Sequence, residues 1–123
     1  MNIRTFRELE AYQLAFSLQQ NIFKASKLWP REETYSLVDQ SRRAARSVGA
    51  NLAVGWSKRR YPAHFLSKLT DADGELQETL HWLDTALACG YINLEAHAGF
   101  VREAETVGRL LGGIMAKHET FCN

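Results

Sequence analysis

Leu69, Ala72, Leu76, Leu80, Leu83 and Leu87 recur every three or four residues. Only an α-helix turns that period into one continuous apolar face. The segment opens at Pro62, tolerated there because the first helical turn has no N–H acceptor to lose. It stops before Gly90, a residue common just past helix C-termini. Leu94, Ala98, Val101, Ala104, Gly108, Leu111 and Met115 repeat the pattern further on. Leu37, Ser41, Ala44, Val48 and Leu52 form a thinner stripe of small residues, and Leu9, Tyr12, Ala15, Phe16, Leu18, Ile22 and Phe23 cover a broader surface. Trp29-Pro30 and Gly55 mark the other breaks, and no alternating run reads as a strand. The spacing predicts helices over about 5–28, 33–56, 62–89 and 93–119, each roughly 35–40 Å long. Four such helices on short links imply an all-α, antiparallel up-down-up-down four-helix bundle, one domain over 1–123.

A chain of 123 residues, 46% of them hydrophobic, can bury a core without staples. Cys89 and Cys122 form no CxxC or metal-ligand spacing, so a reduced, cytoplasmic compartment is the default expectation. Cys89 reads as a small apolar residue at a helix end. No apolar run approaches the ~20 residues that span a bilayer, and Met1–Glu8 lacks the apolar stretch of a signal peptide. No membrane partner is expected.

Trp82 lies well off the leucine face, and Ala104, Gly108, Gly112 and Ala116 make a ridge of small residues at four-residue spacing. These features either fill the bundle's own corners or form a subunit contact; the spacing does not choose.

The charge is segregated. Residues 40–70 hold seven cations, Arg42, Arg43, Arg46, Lys58, Arg59, Arg60 and Lys68, and no acid, while 71–123 hold three cations against nine acids. A segregated positive surface attracts polyanions even at a formal net charge of +1. On a helix Arg42 and Arg46 project together, and Arg43 points elsewhere, toward pairing with the acids of the third helix. Trp56-Ser57-Lys58-Arg59-Arg60-Tyr61 then concentrates three cations between two aromatic rings. Cations hold phosphates without reading sequence, and rings stack on unpaired bases. Arg42, Arg46, Lys58, Arg59 and Arg60 are therefore candidate phosphate contacts, with Arg43 and Lys68 as outer members, and Trp56 and Tyr61 as stacking candidates. The partner is RNA or DNA on this reading. The competing reading is a scaffold whose basic patch docks an acidic protein, with no direct nucleic-acid contact.

An enzymatic reading finds little support. Glu78 and His81 form a single E-x-x-H, whereas carboxylate-bridged metal bundles use two plus further inward glutamates; Glu78 also projects away from the leucine face. His64, His81, His97 and His118 are scattered without zinc spacing. His97 reads as a hydrogen-bonded packing residue and Asn51 as the source of a buried interhelical hydrogen bond. No phosphate loop, dinucleotide glycine pattern or nucleophile elbow occurs. No catalytic residue, metal or cofactor is assigned.

The stretch from Glu33 to Gly55, with Tyr35, Leu37, Gln40, Arg42-Arg43-Ala44-Ala45, Ser47-Val48 and Asn51-Leu52-Ala53, resembles the E-x-Y-x-L-x-x-Q-x-R-R-A-A-x-S-(I/V)-x-x-N-(I/L)-A-E-G signature of proteins encoded in 23S ribosomal RNA intervening sequences. The likeness extends to Phe6-Arg7-Glu8-Leu9, Trp29-Pro30, Phe65-Leu66, Glu75-Leu76 and Gly90-Tyr91-Ile92. The resemblance implies a small cytoplasmic bacterial bundle that assembles as a homopentameric ring. Accessory proteins of diversity-generating retroelements look like relatives and bind nucleic acid and a reverse transcriptase. This chain departs from the pattern at Val54 and His64, where the family has glutamates, and at Tyr61, where it has a capping serine. Both lost carboxylates fall in the acid-free window.

Overall fold

In the computed structural model, which describes residues 3–122, four α-helices carry the chain: α1 (Glu10–Ser26), α2 (Asp39–Ser57), α3 (Pro62–Ala88) and α4 (Leu94–Ala116). They pack as α1 on α2, α2 on α3, α3 on α4 and α4 on α1. That closed cycle on short links is the up-down-up-down bundle that the periodicity predicts.

The helix ends explain where each element starts and stops. Thr5 accepts from the Arg7 N–H at 3.1 Å, while Glu8 Oε2 accepts from the N–H groups of Arg4 and Thr5 at 2.8 and 2.9 Å. This capping box closes a short 3-10 turn, Phe6–Glu8, so α1 begins later than about residue 5. Glu33 similarly organises the entry to α2. Its carboxylate accepts from the Ser36 hydroxyl at 2.6 Å and the Leu37 N–H at 3.3 Å, and Thr34–Val38 form a wide π-turn before α2. Pro62 opens α3. At the end of α3, Gly90 adopts φ +78°, with its N–H on the Leu87 carbonyl and that of Tyr91 on Ala86. Those two bonds make a Schellman motif, whose left-handed residue favours glycine. Asn93 caps α4 through a 2.8 Å bond from the Ala96 N–H.

The stripe predicted for the second helix is buried throughout, at Leu37 in the π-turn and at Ser41, Ala44, Val48 and Leu52 on α2. On α3 the core takes Phe65, Leu69, Ala72, Leu76, Thr79, Leu83 and Ala86, leaving Leu80 and Leu87 half-buried. On α4 the buried face is rotated from the expected one. Phe100, Ala104, Val107, Leu111 and Ile114 are buried, whereas Leu94 and Ala98 are exposed. Gly55 is a further correction. It lies inside α2, not at its stop, and a Cβ there would sit 3.0 Å from Lys68 Cβ. Its smallness lets α2 and α3 approach closely.

A second apolar cluster, Trp29, Leu37, Val38 and Ala86, closes one end of the bundle, and Trp82 packs against it. Its indole N–H donates to Glu78 at 3.1 Å, so Trp82 fills a corner of the fold. In the ridge on α4, Ala104 is buried and a Cβ on Gly108 would lie 3.5 Å from Leu76, but Gly112 faces open space. Cys89 is exposed, which corrects its assignment as an apolar packing residue. Asn51 donates to the Ser47 carbonyl one turn back at 2.9 Å, so the expected interhelical bond is replaced by one within α2. His97 is hydrogen-bonded as read, 2.7 Å from Asp84 on α3.

Candidate nucleic-acid interface

The seven cations of the acid-free window do not form one patch, because α2 carries Arg42, Arg43 and Arg46 around its circumference while the others lie beyond its end, three in the turn and Lys68 on α3. Lys58, Arg59 and Arg60 occupy the turn between α2 and α3. Arg42 and Arg46 lie toward the other end and lean onto α1. Their Cζ atoms sit 4.6 and 5.5 Å from the centroid of the Phe23 ring, a cation–π arrangement. Arg42 is held further by its Nε donating to Ser26 Oγ at 2.8 Å.

Arg43 is exposed. Its charge acts on Glu75 of α3, whose pKa burial raises first and Glu78 second, with Arg43 countering. No carboxylate lies within 4.0 Å of Arg43 among the described residues, so the expected pairing is a longer-range attraction. Lys68 is the member of the seven that does meet an acid, Asp71 at 3.5 Å. Its ammonium is partly neutralised on α3 itself.

At the α2–α3 turn the geometry converges on a shallow pocket of about 400 Å³, lined by Arg4, Trp56, Ser57, Arg59, Arg60 and Tyr61. The capping box of Thr5 and Glu8 positions Arg4 there by bonding the Arg4 N–H. Among the described residues no carboxylate comes within 4.0 Å of Arg4, Lys58, Arg59 or Arg60. Three arginines lining one opening suit an anion with several oxygens, since a guanidinium presents forked donors. The residues alone missed Arg4. Its signal was the T-x-x-E pattern Thr5–Glu8, which fixes the backbone beside it.

Trp56 has to be corrected as a stacking residue. It is 6% exposed, with its ring edge-on to Phe65 and Phe121 at 6.4 and 6.0 Å. Arg59 covers its outer side, Cζ 3.7 Å from the ring centroid. The indole is the floor of the pocket, and no base can reach its face. Tyr61 is 56% exposed, with its ring 5.8 Å from that of His64; it keeps a face for a base.

Glu78 is exposed and bonded to Trp82, and the His81 ring lies against that same indole at 4.7 Å. No cluster of three or more His, Cys, Asp or Glu able to hold a metal occurs among the described residues. No helix of the described residues is long and apolar enough to cross a membrane.

Comparison with solved structures finds a similar fold in a protein of unknown function from the S23 ribosomal protein family of Bacteroides thetaiotaomicron VPI-5482. It is 23% identical, with a TM-score of 0.77, over 86% of this chain and 95% of that one. At that identity the likeness concerns the fold. Comparison with curated protein sequences returns no significant match. The family model described as 23S rRNA-intervening sequence protein matches residues 7–113. That match takes in the α2 signature and most of all four helices, and the chain belongs to the 23S rRNA-intervening sequence protein family.

Proposed function

We propose that this protein binds nucleic acid by its phosphates at the α2–α3 turn, as a non-enzymatic homo-oligomer. One observation carries the reading: Arg4, Arg59 and Arg60 line a single pocket with no carboxylate at ion-pair distance among the described residues. Lys58 adds a fourth cation on the same turn, and Tyr61 offers a ring to an unpaired base. Such contacts hold a backbone and do not read its sequence, so RNA and DNA are both ligands here. The resemblance supports a cytoplasmic ring of five copies, in which identical pockets reinforce one another through effective concentration. It supplies no catalytic set, and the single E-x-x-H is engaged with Trp82, so no reaction is assigned.

Filter binding of labelled RNA and DNA at roughly 50 and 200 mM salt tests the proposal. Binding at the lower concentration that fades steeply at the higher one supports it. No binding at low salt overturns it and favours the scaffold that docks an acidic protein. Light scattering tests the assembly, for which the ring predicts five times the chain mass and a monomer contradicts it.

A further inference from the structure

We propose that a second phosphate-binding pocket lies at the opposite end of α2, formed by Lys27, Arg31 and Arg42 above the Trp29 indole, so that one nucleic-acid strand runs along the α1–α2 face between two cationic ends. This rests on the reading above that the ligand is nucleic acid. The pocket, about 410 Å³, is also walled by Ser26 and Thr34.

Four observations support it. First, none of its three cations lies within 4.0 Å of a carboxylate among the described residues. Of the acids nearest in sequence, Glu32 and Asp39 are exposed and make no ion pair among the described residues, and Glu33 has its oxygens committed to Ser36, Leu37 and Tyr91. Second, Arg42 is pre-set. Its Nε donates to Ser26, itself 2% exposed, and the Ser26 hydroxyl donates on to the Phe23 carbonyl at 2.9 Å. The terminal nitrogens of Arg42 make no hydrogen bond to the described residues, so a forked donor is fixed in place before any ligand arrives. Third, Lys27 Nζ also stands 4.6 Å from the Phe23 centroid, crowding it with Arg42 and Arg46 over one ring. Like charges gathered this way gain from an anion among them. Fourth, Trp29 is 6% exposed and its buried Nε1 has no hydrogen-bond partner, a combination that Trp56 repeats beneath the turn pocket.

The two ends are separated by the length of α2. From Arg42 to Ser57 the helix rises about 22 Å. A strand advancing roughly 3.4 Å per nucleotide covers that in about seven nucleotides. A dinucleotide therefore occupies one pocket at a time, whereas a twelve-mer reaches both.

The chain's three tryptophans make the test direct. Trp56 lines the turn pocket, Trp29 the second pocket and Trp82 neither. The indole N–H resonances of ¹⁵N-labelled protein are followed during titration with a 5′-phosphorylated dinucleotide, and affinity for a single-stranded twelve-mer is measured in parallel. The proposal predicts that Trp29 and Trp56 both respond. K27A/R31A abolishes the Trp29 response, keeps that of Trp56, weakens the twelve-mer about tenfold at low salt and lowers the log–log salt slope by about 1.4. Circular dichroism confirms that the variant is folded. Unchanged twelve-mer affinity in K27A/R31A overturns the proposal. It is overturned equally if inorganic phosphate shifts Trp29 while that affinity stays constant, since the pocket is then a small-anion site. If K58A/R60A changes nothing and K27A/R31A removes binding, the turn assignment fails, and with it the strand that spans both ends; the second pocket alone then stands.

Discussion

The Arg59 guanidinium caps the Trp56 ring, with Cζ 3.7 Å from the centroid, and its Nε donates to the Trp56 carbonyl at 3.0 Å. One side chain thus closes the apolar end of the bundle and faces the pocket with its remaining donors. The same contact removes Trp56 from the set of rings that a base could reach. Stability and ligand binding meet in this pair, and they separate on substitution.

Arg59→Ala uncovers the indole and removes one cation–π contact and one hydrogen bond, together worth about 1 kcal/mol at a half-buried site. Arg59→Lys keeps the charge and forfeits the backbone bond. Arg59→Lys is expected to lose less stability than Arg59→Ala in urea unfolding, and only Arg59→Ala loses a phosphate contact in binding.

Two glycines in helix interiors should respond in opposite directions. Gly74 on α3 has open space where a Cβ would go, so Gly74→Ala gains the helix-propensity difference of roughly 0.5–1 kcal/mol. At Gly55 the same change brings a Cβ to 3.0 Å from Lys68 Cβ, and overpacking of about 1–3 kcal/mol exceeds that gain. Thermal melts are expected to show Gly74→Ala raised and Gly55→Ala lowered, each by a few degrees.

Glu33 and Tyr91 tie the α1–α2 connection to the end of α3 through a 2.8 Å bond from the phenol to the carboxylate. The Ser36 hydroxyl bond, then that from Tyr91, holds the Glu33 pKa below its ordinary value of 4.5. A depressed carboxylate stabilises the fold above the unfolded value and loses that contribution as pH falls through the folded one. The bond to Glu33 is also the first cause that lifts Tyr91 to about 12 from 10.0. Its contribution is full below pH 10 and is lost as pH rises toward 12. Urea midpoints against pH should therefore show Glu33→Gln flattening the limb below pH 4.5, and Tyr91→Phe flattening the limb above 10.

Helix number, order and topology were legible because burial on one face imposes its period on the sequence, as the fully buried α2 stripe shows. The face of α4 was legible only in part. Leu94 and Ala98 fit the period, but the first turn of α4 leaves both uncovered, so Phe100 and Val107 face inward instead. Gly55 read as a stop because close helix approach and helix termination both call for a residue without a side chain. The cations were countable from the sequence, but their grouping was not. The contact of Arg42 with Ser26 and Phe23, and the arrival of Arg4 beside Arg60, are tertiary facts. Trp56 looked available in a basic loop, yet Phe65 and Phe121 bury it.

The most direct test of phosphate binding at the turn is the salt dependence of affinity in the triple variant R4A/K58A/R60A. Each phosphate contact contributes about 0.9 to the log–log slope on duplex DNA, so losing three is predicted to lower it by about 2.7 from the wild-type value in a protein that keeps its helical content. A slope equal to that of the wild type contradicts the account.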